Sequence, residues 1–149
     1  MGRKYINKSS IVSYSCEEMY ALVSDIPNYH HFLPYCASAR ILDQQGDVVH
    51  GEMIFSYLGF NYSLVTKNTM QPFQSISLAL VKGDVQALEG CWRFKDLQDG
   101  RCEVSLNLDV AMHDGLVYRM YNRVIDKLAD TMVDCFVQRA YQVYGYGDD

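Results

Sequence analysis

The chain contains no run of about 18 apolar residues, so no transmembrane helix is expected. Residues Met1 to Ser10 carry Arg3, Lys4 and Lys8, but no apolar stretch follows them, and a secretory signal is not expected either. No Cys-x-x-Cys pair occurs. The five cysteines, Cys16, Cys36, Cys91, Cys102 and Cys135, are scattered and odd in number, which fits the reduced thiols of a cytoplasmic protein. Clustered Cys and His ligands for a zinc site are missing. So is a basic excess: the net charge is −5, whereas non-specific nucleic-acid binding usually rests on a positive surface. No DNA partner is expected. Internal repeats and low-complexity segments are absent. What remains is an ordinary globular composition, 49% hydrophobic and 21% charged over 149 residues. That is enough for one domain, 1–149, with a sizeable core.

The last third carries the clearest periodicity. Val117, Tyr121, Val124, Ile125, Leu128, Met132, Cys135, Phe136, Ala140 and Val143 recur in steps of three and four, and Arg119, Arg123, Asp126, Lys127, Asp130 and Asp134 fall on the other face. This predicts one amphipathic helix from Asp114 to about Tyr144, with Asp114 as its N-cap. Such a helix is roughly 45 Å long and needs a broad apolar surface to cover it.

The rest of the chain supplies that surface. Lys4 to Tyr14 reads as a strand. Ser15 and Glu18 form a capping-box pattern ahead of a short helix with Met19, Leu22 and Val23 on one side. Asn28 to Cys36 predicts one or two more helical turns stopped by Pro34. The neighbouring His30 and His31 have no third ligand nearby in sequence, which leaves a surface or partly buried pair as the reading, not a metal site. Six strands follow: Ser38–Leu42, Val48–Tyr57, Phe60–Met70, Gln74–Val81, Leu88–Leu97 and Arg101–Ala111. The last alternates cleanly, with Cys102, Val104, Leu106, Leu108 and Val110 on one face. Asp99-Gly100 is a hairpin signal, because both central positions tolerate positive φ. Half-buried, hairpin-linked strands are antiparallel. The expected fold is therefore α+β: a seven-stranded antiparallel sheet wrapped around a long C-terminal helix, with two short helices after the first strand. The competing arrangement, a coiled-coil dimer through the long helix, would leave the sheet without a cover.

Several stretches carry a family resemblance: Tyr14-Ser15-Cys16-Glu17-Glu18-Met19-Tyr20, then Tyr29 and Phe32-Leu33-Pro34-Tyr35-Cys36, then Gly83, Leu88, Gly90, Trp92 and Phe94, and finally Met132 to Tyr144. Together they resemble the coenzyme-Q-binding protein family, of START-like or helix-grip type within the polyketide cyclase-related superfamily. That family also includes the bacterial ribosome association toxin. The chain departs from the pattern at His30, where the family usually has proline, at Asp84 and Val85, where it has proline and an aromatic, and at Cys91, where it has glycine.

The resemblance implies a tunnel between sheet and helix for a lipophilic molecule, with ubiquinone or a related isoprenoid as candidate ligand, transient membrane contact, and support of respiratory quinone function. No cofactor is required by it. The expected walls are Phe32, Leu33, Phe55, Tyr57, Tyr62, Leu64, Leu78, Leu80, Trp92, Phe94, Val124, Leu128 and Met132. Twelve tyrosines are more than a dry core of this size comfortably hides, and each offers a ring with an O–H. The alternative implied by the resemblance is a toxin that binds the large ribosomal subunit and blocks subunit joining, with Arg3, Lys4, Lys8, Arg119, Arg123 and Arg139 as phosphate contacts. Catalysis is not expected. The inward faces show no His–Asp or paired-carboxylate set, and His113 beside Asp114 is the one candidate.

Overall fold

The computed structural model describes residues 2–145. Seven strands, β1 (Arg3–Val12), β2 (Cys36–Gln45), β3 (Val48–Tyr57), β4 (Phe60–Gln71), β5 (Ser75–Gly83), β6 (Ala87–Asp96) and β7 (Cys102–Ala111), form one antiparallel sheet in the order β1-β7-β6-β5-β4-β3-β2. The hairpin-linked strands β2 to β7 lie side by side in sequence order. Only β1 joins out of turn, along the free edge of β7, with Ile6 opposite Leu108 and Val12 opposite Cys102. Helix α1 (Cys16–Ser24), a 3-10 segment (Ile26–His31) and the long helix α2 (Arg119–Tyr144) complete the fold.

Local chemistry accounts for most element boundaries. Ser15 caps α1: its Oγ accepts the Glu18 N–H at 3.1 Å, while the Glu18 carboxylate accepts the Ser15 N–H at 2.9 Å. At the β6–β7 turn Gln98, Asp99 and Gly100 all have positive φ, as the Asp-Gly signal requires. At Gly90 the close approach of β7 leaves no room for a side chain: a Cβ there would lie 2.4 Å from the Asn107 carbonyl oxygen.

The long helix departs from expectation at its start. Asp114 is not its N-cap. Gly115 takes φ +104, Leu116–Tyr118 form a separate 3-10 turn, and α2 begins only at Arg119 behind Tyr118, which provides no side-chain cap. Its 26 residues span about 39 Å. Val117 therefore leaves the apolar face and is exposed, and Val143 is half-exposed at the far end. The buried stripe is Tyr121, Val124, Ile125, Leu128, Ala129, Val133, Phe136, Val137 and Ala140. Strand β2 runs longer than its short apolar core suggests, with register shifts at Cys36/Ser38 and Ile41/Asp43.

The concave face of the sheet grips α2, and the core lies between them. The free edge β1 is tied to the helix by charge. Lys4 Nζ sits 3.0 Å from Asp126 and 2.9 Å from Asp130, and Lys8 Nζ donates to the Asp130 carbonyl at 2.9 Å.

Candidate functional site

A cavity of about 80 Å³ remains between the sheet and α2. Alternation along each strand sends every second side chain into it: Met53 and Phe55 from β3, Leu64, Thr66 and Asn68 from β4, Leu78 from β5, Leu88 and Trp92 from β6, and Leu106, Leu108 and Val110 from β7. The helix adds Ile125, Leu128, Ala129, Met132 and Phe136, at the three- and four-residue steps that keep one face inward. Ile26 and Tyr29 of the 3-10 segment close one side. Gly51 makes room for them: a Cβ there would lie 2.9 Å from Ile26 Cδ1.

Four of these walls, Tyr29, Thr66, Asn68 and Trp92, carry side-chain polar atoms able to hydrogen-bond strongly. Thr66 and Asn68 are buried, and two residues apart on one strand they share a face. Thr66 Oγ1 donates to Asn68 Oδ1 at 2.8 Å. Asn68 Nδ2 has no hydrogen-bond partner among the described residues, so its outlet is the cavity. Another polar wall, Tyr29, donates its O–H to the Val23 carbonyl, and burial pushes its phenol well above the ordinary range. None of the lining residues is charged.

The thirteen expected wall residues divide by position. Phe55, Leu64, Leu78, Trp92, Leu128 and Met132 line the cavity. The other seven pack around it. Phe32 lies edge-on to Phe136 at 5.0 Å, with Arg139 over its other side at 5.2 Å. Tyr57 meets Tyr35, and Phe94 meets Tyr20. Tyr62 stacks on Tyr121 at 4.1 Å, and its O–H reaches the Val117 carbonyl at 3.3 Å. Leu33 and Val124 are buried in the surrounding core, and Leu80 is half-buried against it. Thr66, Leu88, Leu106, Leu108 and Val110 were reachable by extending the strand alternation. Ile26 and Tyr29 had no sequence signal, because a tertiary fold-back brings them to the cavity.

Tyr121 is fully buried, and its O–H is without a partner among the described residues. Burial, with Asp84 and Tyr62 nearby, raises its phenol far above the ordinary range. The departures at Asp84 and Val85 are both absorbed locally. Asp84 accepts the Ser63 N–H at 2.8 Å, and Val85 is buried. His113 lies off the cavity, stacked on Tyr118 at 4.6 Å, and its carbonyl accepts from Asn122 at 2.9 Å. His30 and His31 are exposed, with rings 4.0 Å apart. Among the described residues no group of three His, Cys, Asp or Glu side chains is placed to hold a metal.

Of the six cations expected as phosphate contacts, four are engaged. Arg3 makes a two-pronged pair with Asp109 at 3.0 Å, and Lys4 and Lys8 are held by α2. Arg139 lies over Phe32 and donates to Gln142 at 3.3 Å. Arg119 and Arg123 are exposed and make no ion pair among the described residues.

Comparison with known proteins places this geometry. The family described as polyketide cyclase / dehydrase and lipid transport matches residues 12–137. The chain belongs to that family. Within it, the chain is 32% identical to the ribosome association toxin RatA of Vibrio cholerae, covering 95% of this chain and 99% of the relative. It is 25% identical to a mitochondrial coenzyme Q-binding protein, COQ10 homolog B of Xenopus laevis, covering 97% of this chain and 62% of that protein. Among solved structures, a START superfamily protein from Mycobacterium smegmatis matches with a TM-score of 0.77 at 18% identity, covering 95% of this chain and 99% of that one. The Zhui aromatase/cyclase from a Streptomyces species matches with a TM-score of 0.79 at 12% identity, covering 99% and 100%. The fold is thus START-like and is shared with binding proteins and with enzymes, so fold alone does not assign activity.

Proposed function

We propose that the protein binds a small lipophilic molecule without transforming it. The apolar body of the ligand fills the space between sheet and α2, and a carbonyl oxygen of the ligand accepts the free N–H of Asn68. The observation that carries this reading is the buried Thr66–Asn68 pair, set in an otherwise apolar, uncharged wall. A pocket of this kind fixes orientation with few polar groups and gains affinity from apolar contact. An isoprenoid quinone such as ubiquinone has the matching chemistry, a carbonyl-bearing ring on an apolar tail, and the similarity to COQ10 supports it.

Size sets a condition on entry. An engineered cavity of about 150 Å³ takes benzene, whereas this one measures about 80 Å³. A quinone ring therefore enters with displacement of its softer walls. Met53 and Met132 are the walls suited to yield, because unbranched thioethers repack at low cost. Loading from a membrane surface is supported by exposed Leu58 and Phe60 at the β3–β4 turn, and by exposed Leu116 and Val117 just before α2. The Tyr62–Val117 hydrogen bond brings that second segment against the start of β4.

Solvent extraction of protein purified from its native host, followed by mass spectrometry, tests the reading. A stoichiometric isoprenoid quinone or comparable carbonyl-bearing lipid is the expected result. Protein that is empty on extraction, and that takes up no short-chain quinone on titration, overturns it.

A second reading, association with the ribosome, is favoured by the full-length similarity to RatA. Of the six expected phosphate contacts, exposed Arg119 and Arg123 are the two left without an ion pair among the described residues. Co-sedimentation with separated ribosomal subunits tests it. Phosphate-led binding to the large subunit should weaken steeply with salt, and absence of co-sedimentation at low salt rejects it.

A further inference from the structure

Cys16 and Cys102 stand 86 positions apart in sequence, yet their sulfurs lie 2.9 Å from each other. Cys16 is the first residue of α1 and is half-buried, so solvent reaches it. Cys102 is the first residue of β7 and is fully buried at 0% exposure. Both are free thiols, and neither lines the cavity. The other three cysteines have different neighbours: Cys36 donates to the Ser38 carbonyl at 3.4 Å, Cys91 donates to the Trp92 carbonyl at 3.3 Å, and Cys135 lies on α2. One reachable thiol facing one buried thiol is the arrangement of an oxidised cysteine and its resolving partner.

We propose that Cys16 and Cys102 form a reversible oxidation site that links the start of α1 to the start of β7 through a disulfide when the protein meets hydrogen peroxide. In the first step the Cys16 sulfur attacks the peroxide, the O–O bond breaks, and Cys16 becomes a sulfenic acid as one water leaves. In the second the Cys102 sulfur attacks the Cys16 sulfur, and the S–O bond breaks. The departing hydroxide takes the Cys102 proton as a second water. Two thiols and one peroxide thus give one disulfide and two waters. The sulfurs must close from 2.9 Å to about 2.05 Å, a movement within reach of the Cys16 side chain at the end of a helix. Burial pushes the Cys102 thiol well up, which withholds it from direct attack on the oxidant, and its place 2.9 Å from the Cys16 sulfur is what lets it resolve the sulfenic acid.

The bond has a mechanical consequence. Helix α1 leads directly into the 3-10 segment whose Ile26 and Tyr29 cover the cavity. A disulfide anchors the other end of that cover to the sheet, and it closes a long loop in the unfolded chain.

The test uses the full chain, native and reduced, treated with stoichiometric hydrogen peroxide. The expected product has lost two hydrogens by intact mass, shows a Cys16–Cys102 crosslink in a non-reducing peptide map, and melts roughly 5–15 °C higher. Dithiothreitol restores the starting mass and melting temperature. C16S, a mild change at a half-buried helix start, keeps the fold by circular dichroism and loses the crosslink, whereas C91S forms it normally. The proposal is overturned if Cys16 gains oxygen without linking, if both thiols stay free, or if C16S still loses two hydrogens.

Discussion

Replacing Asn68 by leucine separates the polar anchor of the cavity from its apolar walls. The two side chains are close in size, so the cavity keeps its shape. In the free protein the change replaces an amide N–H that faces the cavity with apolar surface, which favours folding. It also takes from Thr66 Oγ1 the acceptor it holds at 2.8 Å, which opposes folding. The two effects oppose each other, so the stability read by urea denaturation should stay within about 1–3 kcal/mol of the parent. Binding is not balanced in this way. A ligand carbonyl that loses the Asn68 N–H is left buried and unsatisfied, a loss of about 1–3 kcal/mol or roughly 5- to 150-fold in Kd.

The chain carries its own reporter. Trp92 is the single tryptophan and lines the cavity. Quenching of its fluorescence by a short-chain benzoquinone gives Kd for the parent and the variant, and a hydrocarbon ring of similar size serves as control. The expected outcome is weakened quinone binding with unchanged hydrocarbon binding. Equal quinone affinity in the two proteins, with fold intact by circular dichroism, would refute the role given to Asn68.

Thr66→Val alone leaves Asn68 Oδ1 without its donor and should destabilise by about 1–3 kcal/mol, whereas the T66V/N68L double variant should be near neutral, both read by urea denaturation. Phe136→Ala removes the ring on which Tyr29, Phe32 and Trp92 rest edge-on at 5.4, 5.0 and 5.1 Å, and should cost about 3–5 kcal/mol in the same assay. Gly90→Ala should destabilise by about 1–3 kcal/mol or more, because its Cβ meets the Asn107 carbonyl oxygen at 2.4 Å and forces β6 from β7. Lys4 holds the Asp130 carboxyl below its ordinary range. The stability this adds is present at neutral pH and is lost as pH falls through the carboxylate range. Lys4→Gln should therefore flatten the acid side of the stability profile slightly, the pair being largely solvated.

The architecture was legible because each element carried its own local signal. The strict alternation from Cys102 to Val110, the Ser15–Glu18 capping box and the Asp99-Gly100 turn each rest on contacts within a few residues. The start of α2 misled because Asp114 resembles a cap, while the deciding feature is the left-handed backbone at Gly115. The site was legible by face and not by depth. Phe94 and Leu80 point to the same side as Trp92 and Leu78, yet lie past the ends of the cavity. Period-two patterning reports which way a side chain points, and carries nothing about how far along the groove it sits. Asn68 could be placed inward, but its role depends on Thr66 taking only one of its two polar atoms, which is a matter of geometry.

The two flanks of α2 are held by different chemistry, and this bears on how the cavity admits a ligand. On the β1 side, Lys4 and Lys8 reach the helix through ion pairs and a backbone hydrogen bond, which are directional and fix the helix along its length. On the opposite side Tyr29 of the 3-10 segment and Phe32 just after it meet Phe136 through ring edges, and the Tyr29 O–H is spent on Val23 of α1, not on α2. Ring edges slide at little cost, because such contacts favour a range of offset and tilted geometries over one fixed pose. The 3-10 side, where Ile26 and Tyr29 form the wall, is thus a second place besides Met53 and Met132 where the cavity can expand. The same division takes Lys4 and Lys8 out of reach of phosphate, because the sheet edge uses them to grip the helix. The cations left for the proposed ribosome contact, Arg119 and Arg123, follow closely on Leu116 and Val117, so a charge-reversing substitution at Arg119 tests whether that end of α2 serves one of the two proposed roles or both.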